Sequence, residues 1–117
     1  MRHTAVYDNQ ANWEIPVKAA MHQLSQFENL FKNLGDVKEG FPKAIEFSQL
    51  SNRDEYNPNK LHENLMFGTP DEVIKKLRLY EDLGVDHFIY YSSLGLDLTL
   101  QKRSLELFIK EVIPAFP

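Results

Sequence analysis

A strand-to-helix corner at residues 67–73 constrains the fold of this chain more than any other feature. In its sequence, FGTPDEV, Thr69 is a good N-cap and Pro70 falls at the first helical position, where its missing N–H has no role. Glu72 lies three residues past the cap and completes a capping box. A helix is therefore predicted to begin at about Pro70.

The segments after the corner predict a βα unit that leads into a second parallel strand. The apolar residues of the helix recur every three or four positions, at Val73, Ile74, Leu77 and Tyr80. We expect the helix to end near Leu83, because Gly84 adopts the left-handed conformation readily and Val85 can fold back onto Tyr80. Residues 85–93, VDHFIYYSS, are rich in β-branched and aromatic side chains and predict a strand.

The N-terminal half is dominated by a long predicted helix. A short strand is predicted at residues 3–7, and the helix runs from about Ile15 to Leu34, with Pro16 in its first turn and Gly35 at its end. An apolar stripe follows its length: Val17, Ala20, Met21, Leu24, Phe27, Leu30, Phe31 and Leu34. We interpret the stripe as facing a core. The alternative is a subunit interface, to which Trp13, Phe41 and Phe47 add apolar surface.

The remaining segments are shorter. Residues 35–60 are mostly irregular connection, with a possible helical turn around Lys43 to Leu50, and a brief buried strand is predicted between Leu61 and Phe67. The last helix is capped by Thr99 or Asp97. Its predicted buried face consists of Leu105, Phe108, Ile109 and Val112, and Pro114 is expected to stop it near Val112 or Ile113.

The predicted strands are too few for a self-contained α/β domain. About three short strands are indicated, whereas parallel strands usually lie in larger sheets with both faces covered. Two explanations remain open. The strands complete a sheet with another copy of the chain, or the chain is the tail of a larger α/β protein.

Composition excludes several functional classes. The formal net charge of −4, with scattered basic residues, gives no electrostatic basis for binding nucleic acid. Without cysteine there is no disulfide, thiolate nucleophile or cysteine-based zinc site, and no apolar run is long enough to span a membrane or act as a signal peptide. The four histidines are too far apart for a metal-binding motif. We expect a cytoplasmic protein that binds neither nucleic acid, membrane nor metal.

Residues 64–116 resemble the C-terminal end of the bacterial luciferase-like monooxygenases. Three ordered motifs carry the resemblance: GTPDEV at residues 68–73, LGVD at residues 83–86, and SLELF with EVIP at residues 104–108 and 111–114. The first motif alone is weak, because many βα corners satisfy it. Three motifs at family-like spacing are much more specific.

The resemblance implies an α/β chain that is a C-terminal fragment of a (β/α)₈ TIM barrel. Residues 64–117 correspond to the last two βα units, and residues 1–63 to a helical and irregular region before the seventh strand, so residues 1–117 form one partial domain. The family uses reduced FMN, or a deazaflavin in some branches, supplied by a flavin reductase. A complete barrel takes about 250 residues, so 117 residues cannot close one.

The resemblance also indicates where a pocket wall would lie, since TIM barrels work at the carboxyl ends of their strands. The candidate cofactor-binding residues are Gly68 and Thr69, which follow Phe67, and Tyr90 and Ser92 on the last strand. Alternation sends Tyr91 to the opposite side of the sheet from these last two.

Each candidate has a structural alternative. Helix capping accounts for Gly68 and Thr69, and packing with an edge turn accounts for Tyr90 to Ser93. Acidic residues at positions 71 and 72 disfavour a phosphate at the corner. The sequence identifies no catalytic acid, base or nucleophile.

Two functional hypotheses follow. In the first, the chain is part of a flavin-dependent monooxygenase that uses reduced flavin and O₂ to oxidise a small organic substrate, and it is not catalytic alone. In the second, it is a non-catalytic α/β module that forms oligomers through its sheet edges and helical stripe. Under either hypothesis, the unpaired strand edges predict association with another chain, and we expect a homo-oligomer.

Overall fold

The computed structural model describes residues 2–32, 36–46, 48, 50, 52–92 and 95–117. The strands are β1 (Arg2–Val6), β2 (Val37–Lys38), β3 (Phe41–Pro42), β4 (Met66–Gly68) and β5 (Tyr90–Ser92). The helices are α1 (Glu14–Lys32), α2 (Pro58–Asn64), α3 (Pro70–Asp82) and α4 (Leu98–Leu107). A π-helical segment (Phe108–Val112) and a 3₁₀ turn (Ile113–Ala115) extend α4, and further 3₁₀ turns lie at Gln10–Asn12 and Asp54–Tyr56.

The main sheet has three parallel strands in the order β4-β1-β5. Thr4 pairs with Met66 on one side of β1, and Arg2 pairs with Tyr90 on the other. A (β/α)₈ barrel places consecutive strands side by side, so the position of β1 between β4 and β5 differs from the arrangement that the resemblance implies. β1 is the longest of the three strands, and in the central position both of its edges are paired.

Helices cover both faces of this sheet. On one face, Ala5, Tyr7 and Phe67 pack against Val17 and Ala20 of α1 in a cluster that also contains Leu61 and Leu96. On the other face lie α3 and α4, whose core contains Val6, Met66, Val73, Leu77, Leu107, Phe108 and Val112. The result is a small three-layer α/β/α unit, in which alternate residues of β1 belong to different cores.

The corner at residues 67–73 has the predicted structure. The Glu72 carboxylate accepts hydrogen bonds from the backbone N–H of Thr69, at 2.8 Å, and from its hydroxyl, at 3.1 Å. At the other end of α3, Gly84 has a φ of 82° and the N–H of Val85 donates to the carbonyl of Tyr80 at 3.1 Å. These are the N-cap and the glycine C-cap expected from the sequence.

Three connections differ from the prediction. The strand predicted over residues 85–93 is confined to β5, and Val85 and Ile89 before it are exposed. Helix α2 was not predicted, although Asn57 caps it and Pro58 begins it. A β2–β3 hairpin turns at Glu39 and Gly40, which have φ values of 52° and 83°. The two positive φ values are those of a type I′ turn.

The stripe on α1 is buried only in its first half. Val17 and Ala20 are buried, but Phe27 and Leu30 are 62% and 58% exposed. The second half instead turns Ser25 and Asn29 inward. Ser25 donates to the carbonyl of His22 in the same helix, whereas other polar side chains of this half bind the segment after the hairpin. Gln26 donates to the carbonyl of Ile45, Asn29 to that of Lys43, and Glu28 contacts Arg53 and Tyr56. The predicted end of the helix at Leu34 and Gly35, the side chain of Phe31, and Phe47 lie outside the described residues.

The buried face of α4 was predicted incorrectly. Phe108 and Val112 are buried as expected, but Leu105 and Ile109 are 44% and 53% exposed. Ser104 and Leu107 take the inward positions instead. Asp97, not Thr99, is the cap, since its carboxylate accepts a hydrogen bond from the N–H of Thr99 at 2.9 Å. Helical turns continue through Pro114 as far as Ala115. In the part of the chain that the structure describes, no helix is long and apolar enough to cross a membrane.

Candidate functional site

The carboxyl ends of the three parallel strands meet at one edge of the sheet. Gly68 ends β4, Ser92 ends β5, and Tyr7 with Asp8 follows β1. This edge is where open parallel sheets bind ligands. Of the four residues proposed from the sequence as pocket wall, Gly68, Thr69 and Ser92 lie at this edge. Tyr90 is the first residue of β5 and pairs with Arg2 at the start of β1, so it lies toward the other end of the strand.

Gly68 and Thr69 are engaged by the start of α3. A Cβ at Gly68 would lie 2.7 Å from the Cβ of Glu72, so only glycine allows the strand to approach the helix this closely. The Thr69 hydroxyl donates to the Glu72 carboxylate. Gln10 donates to the other oxygen of that carboxylate at 3.0 Å and thus connects the corner to the segment after β1.

Tyr90 and Ser92 point toward α4, on the same side of the sheet as predicted. The Tyr90 hydroxyl is hydrogen-bonded to Ser104 Oγ at 2.8 Å, and the Ser92 hydroxyl donates to Gln101 Oε1 at 2.8 Å. Tyr91 lies on the other side, edge-on to His3 at 4.8 Å between ring centroids. The hydroxyls of Tyr90 and Ser92 therefore both have partners on the last helix. Their assignment to a cofactor pocket stays a prediction.

A group that the sequence did not indicate lies on the α1 side of the edge. Tyr7 is 9% exposed, and its hydroxyl shares a hydrogen bond of 2.6 Å with His62 Nε2. The indole of Trp13 lies edge-on to the His62 ring at 5.6 Å. Residues 7 and 62 are brought together by the pairing of β1 with β4, so no local sequence pattern could have found the pair.

Lys76 lies behind this group and binds backbone carbonyls. Its ammonium donates to the carbonyl oxygens of His62, Leu65 and Phe67 at 2.5, 3.0 and 2.8 Å. Two of these oxygens come from the end of α2 and the residue after it, where a helix leaves carbonyls without intrahelical partners. Lys76 therefore fastens α2 and β4 to α3.

Burial sets the protonation behaviour of this region. It raises the pKa of the Tyr7 hydroxyl, with a smaller contribution from the charge of Glu72. It also lowers the pKa of His62, with help from the Lys76 charge, and lowers the pKa of Lys76 against the opposing charges of Glu72 and Glu63. Tyr7 and His62 are therefore held in their neutral forms near neutral pH.

Glu72 behaves differently from its neighbours. Burial acts to raise the pKa of its carboxyl, but the hydrogen bonds from Thr69 and Gln10 outweigh burial and lower that pKa. Glu72 thus remains an ionised acceptor at the corner. Its negative charge makes the N-terminus of α3 a poor place for a phosphate group.

The cavity at this edge is small. Its volume is about 50 Å³, and it lies between the end of β1 and the start of α4. Asp8 and Arg103 stand at its rim as an ion pair with a 2.5 Å contact, which lowers the pKa of Asp8 through the hydrogen bond from Arg103. A larger groove of about 420 Å³ lies at the opposite, amino end of β5, lined by aromatic residues that include Tyr80, Phe88 and Phe116. Within the described ranges, no three His, Asp or Glu side chains form a group that could hold a metal ion.

Comparison with known proteins gives one informative match. The chain is 28% identical, over 116 residues, to the oxygenase component of a flavin-dependent trigonelline monooxygenase from Acinetobacter baylyi. The aligned region covers 99% of this chain and 32% of the relative, so the chain spans about a third of the length of the protein it matches. No family model and no solved structure matches the chain. The resemblance to a flavin-dependent monooxygenase inferred from the sequence is confirmed by this comparison.

Proposed function

We propose that the chain is the C-terminal portion of a luciferase-like, flavin-dependent monooxygenase with a (β/α)₈ barrel. Residues 64–117 would be the last two βα units, and residues 1–63 the region before the seventh strand. The observation that carries the proposal is the similarity along nearly the whole chain to one third of an oxygenase component. The capped corner and the three parallel strands support it.

The complete enzyme, on this proposal, uses reduced flavin and O₂ to oxidise a small organic substrate. FMN is the proposed flavin, with a deazaflavin as the alternative. The relative is the oxygenase component of its enzyme, which supports a separate flavin reductase as partner. The present residues contribute barrel wall, and Gly68, Thr69, Tyr90 and Ser92 are proposed to border the pocket.

The described residues do not form a flavin site at the carboxyl edge of the sheet, where a (β/α)₈ barrel binds its ligands. Pockets for cofactor-sized ligands have volumes of about 300–1,000 Å³. The cavity at the carboxyl edge is only about 50 Å³, and its rim cation, Arg103, is already paired with Asp8 and Glu106. The helix N-terminus at the same edge carries Asp71 and Glu72. We therefore propose that residues outside this chain supply most of the flavin site at this edge.

The barrel proposal also requires a rearrangement of the N-terminal elements. In a (β/α)₈ barrel the helices surround the outside of the strands, and the interior face is filled by side chains from the strands. Here α1 covers the sheet face opposite α3 and α4, next to Ala5, Tyr7 and Phe67. We propose that, when the other strands are present, β1 leaves its place between β4 and β5 and α1 moves to the face of the sheet that carries α3 and α4.

Intact-mass measurement and a flavin titration test the proposal. The protein isolated from its own source should have about three times the 13.7 kDa mass of this chain, and it should quench flavin fluorescence stoichiometrically. The isolated 117-residue chain should not. The proposal would be contradicted if the protein from its own source has a mass of 13.7 kDa and binds no flavin, either alone or with co-purified chains. Tight flavin binding by the isolated 117-residue chain would contradict the expectation that the chain is not catalytic alone.

The second hypothesis, a homo-oligomeric module without catalysis, is favoured by exposed apolar residues such as Leu98, Ile109 and Ile113. It predicts concentration-dependent association of the 117-residue chain in sedimentation velocity and no flavin binding under any condition. The two hypotheses therefore differ in the mass expected for the protein from its own source and in whether that protein binds flavin.

A further inference from the structure

The groove of about 420 Å³ at the amino end of β5 lies opposite to the edge that carries the candidate site. Its walls come from α3, from the connection after α3, and from the extension of α4 with the residues that follow it. The first wall residue is Leu77, so no wall belongs to β1 or α1, and the rearrangement proposed for those elements removes none of them. Sites for small molecules have volumes of about 300–1,000 Å³. The groove is therefore large enough to hold a ligand of its own.

Aromatic rings form much of the wall of this groove. They are those of Tyr80, Phe88, Phe108 and Phe116. Phe108 is buried and the other three are half-buried, and the rings of Phe88 and Phe108 lie 5.9 Å apart between centroids. The face of an aromatic ring carries partial negative charge and attracts cations. One ring already has such a contact, because the guanidinium of Arg78 lies over Phe116 at 4.3 Å from its centroid.

The charged side chains that line the groove are acidic. They are Glu81 and Asp86, and no lysine or arginine is among the described residues of its wall. Glu81 is paired with Arg78 at 2.5 Å, and the same guanidinium also donates to the carbonyl of Ala115. Asp86 is exposed and forms no ion pair within the part of the chain that the structure describes. The groove therefore has one negative charge that no basic side chain neutralises.

The end of α3 adds to this negative charge. The C-terminus of a helix carries partial negative charge, which basic side chains stabilise and acidic side chains oppose. The last turn of α3 includes Glu81 and Asp82 and has no basic residue, and Asp86 follows four residues after the helix. These carboxylates therefore lower the stability of the folded chain at the place where a cation would increase it. Local conflicts of this kind are expected at functional sites.

From these features we infer that the groove binds a small organic cation with an apolar body, such as a substituted quaternary ammonium. Its charge would lie near Asp86 and the rings of Tyr80 and Phe88, and its apolar part against Phe108. A neutral apolar ligand would take water from Asp86 without replacing it. A metal ion is disfavoured, because the described ranges contain no group of three His, Asp or Glu side chains that could hold one. The inference goes beyond the proposed function, since this groove lies at the opposite end of the strand from the proposed flavin pocket.

Benzyltrimethylammonium is a probe of this chemistry, and benzyl alcohol is a neutral compound with the same ring. Saturation-transfer NMR, which observes the small molecule, measures the affinity of each compound for the 117-residue chain and for the protein from its own source. Amide spectra of the 117-residue chain then locate the site. The cation should shift the amides of residues 80–88 and 112–116, and benzyl alcohol should bind about fivefold more weakly or less. Added KCl should weaken binding of the cation and leave that of benzyl alcohol unchanged.

Two substitutions separate the charge from the ring. Asp86→Asn removes the unpaired charge at an exposed position, and Asp71→Asn is its control, since Asp71 is exposed in the first turn at the other end of α3. Phe88→Leu removes a ring but keeps an apolar side chain, and Phe41→Leu, in the hairpin, is its control. Asp86→Asn and Phe88→Leu should each weaken binding of benzyltrimethylammonium by about three- to tenfold. The two controls should leave its affinity unchanged.

Equal affinity for benzyltrimethylammonium and benzyl alcohol would overturn the inference, because the groove would then select only for apolar surface. Unchanged affinity for the cation after Asp86→Asn would also overturn it, and this exposed substitution is not expected to disturb the fold. Amide shifts confined to residues outside the groove would place the cation elsewhere and have the same consequence. Flavin binding is titrated in parallel, and its result bears on the proposed function alone.

Discussion

The Oγ of Ser104 accepts a hydrogen bond of 2.7 Å from the backbone N–H of Val6, so the last helix is bonded directly to the first strand. Among the described residues, the pairing of β1 with β5 extends to Thr4 and Ser92. Val6 lies two residues farther along β1 and is buried. The same hydroxyl is hydrogen-bonded to Tyr90. Ser104 thus provides a hydrogen-bond partner for a backbone N–H of β1 and for a side-chain hydroxyl of β5. Buried polar groups require such partners.

Ser104→Ala should lower the free energy of unfolding by about 1–3 kcal/mol, because the N–H of Val6 and the hydroxyl of Tyr90 would both lose a buried partner. Lys102→Ala, an exposed change on the same helix, should alter it by no more than about 0.5 kcal/mol. Urea denaturation followed by circular dichroism measures both. Equal midpoints for the two variants would show that Ser104 is not the connection described.

Lys76→Met should destabilise the chain by about 2 kcal/mol or more, because three charge-assisted hydrogen bonds to backbone carbonyls disappear while the apolar stem is retained. The neighbouring Lys75→Met is the control, since Lys75 is exposed on the same helix. Hydrogen exchange of α2 amides should also accelerate in the Lys76 variant, because those carbonyls lie at the end of α2. Unchanged exchange in α2 would refute the fastening role.

Stability should decrease as the pH falls below about 6.5. Burial lowers the pKa of His62 and of His3 below the ordinary value of 6.5, so the unfolded chain binds more protons than the folded chain in the window below that pH. The free energy of unfolding therefore rises with pH through this window and is lost on acidification. Denaturation between pH 5 and pH 8, a range chosen to span the histidine titration, would show the slope.

Histidine variants separate the contributions to that slope. His62→Gln and His3→Gln should each reduce the pH dependence, while His87→Gln, at an exposed position, serves as the control. Lys76 and Glu72 act on His62 with opposite signs, so both must be kept in these variants. An undiminished slope in the double variant lacking His3 and His62 would contradict the assignment.

Gly68→Ala should destabilise the chain by about 1–3 kcal/mol, because the new methyl group would meet the Cβ of Glu72 at 2.7 Å. The clash depends on that Cβ, so a double-mutant cycle can isolate it. Adding Gly68→Ala to a Glu72→Gly background should cost much less than adding it to the natural sequence. An equal cost in both backgrounds would indicate a different origin.

Local sequence signals predicted the corner and α3 well, because capping, proline placement and the glycine stop act within a few residues. They failed where a distant segment decides which side chain faces inward. Leu105 was expected in the core, but the N–H of Val6 requires an acceptor, and Ser104 supplies it. On α1, the apolar Phe27 and Leu30 are displaced from the core by polar side chains that bind residues 43–56.

The candidate site also contains residues that local sequence signals identified and residues that depend on contacts between distant segments. The sequence indicated Gly68, Thr69, Tyr90 and Ser92 because they lie next to recognisable strand ends. It could not indicate Tyr7 with His62, because their contact depends on which strands pair. The order β4-β1-β5 is itself a long-range property without a local sequence signal.

The central position of β1 has a consequence for synthesis on the ribosome. Of the described segments, β1 is made first, yet its partners Met66 and Tyr90 belong to the second half of the chain. Until those residues emerge, the apolar core residues of the strand, Ala5 and Val6, lack the two neighbouring strands of this sheet. Pairings this distant in sequence form slowly, and the waiting strand is open to wrong partners. We expect β1 to need protection by chaperones until Tyr90 has been synthesised.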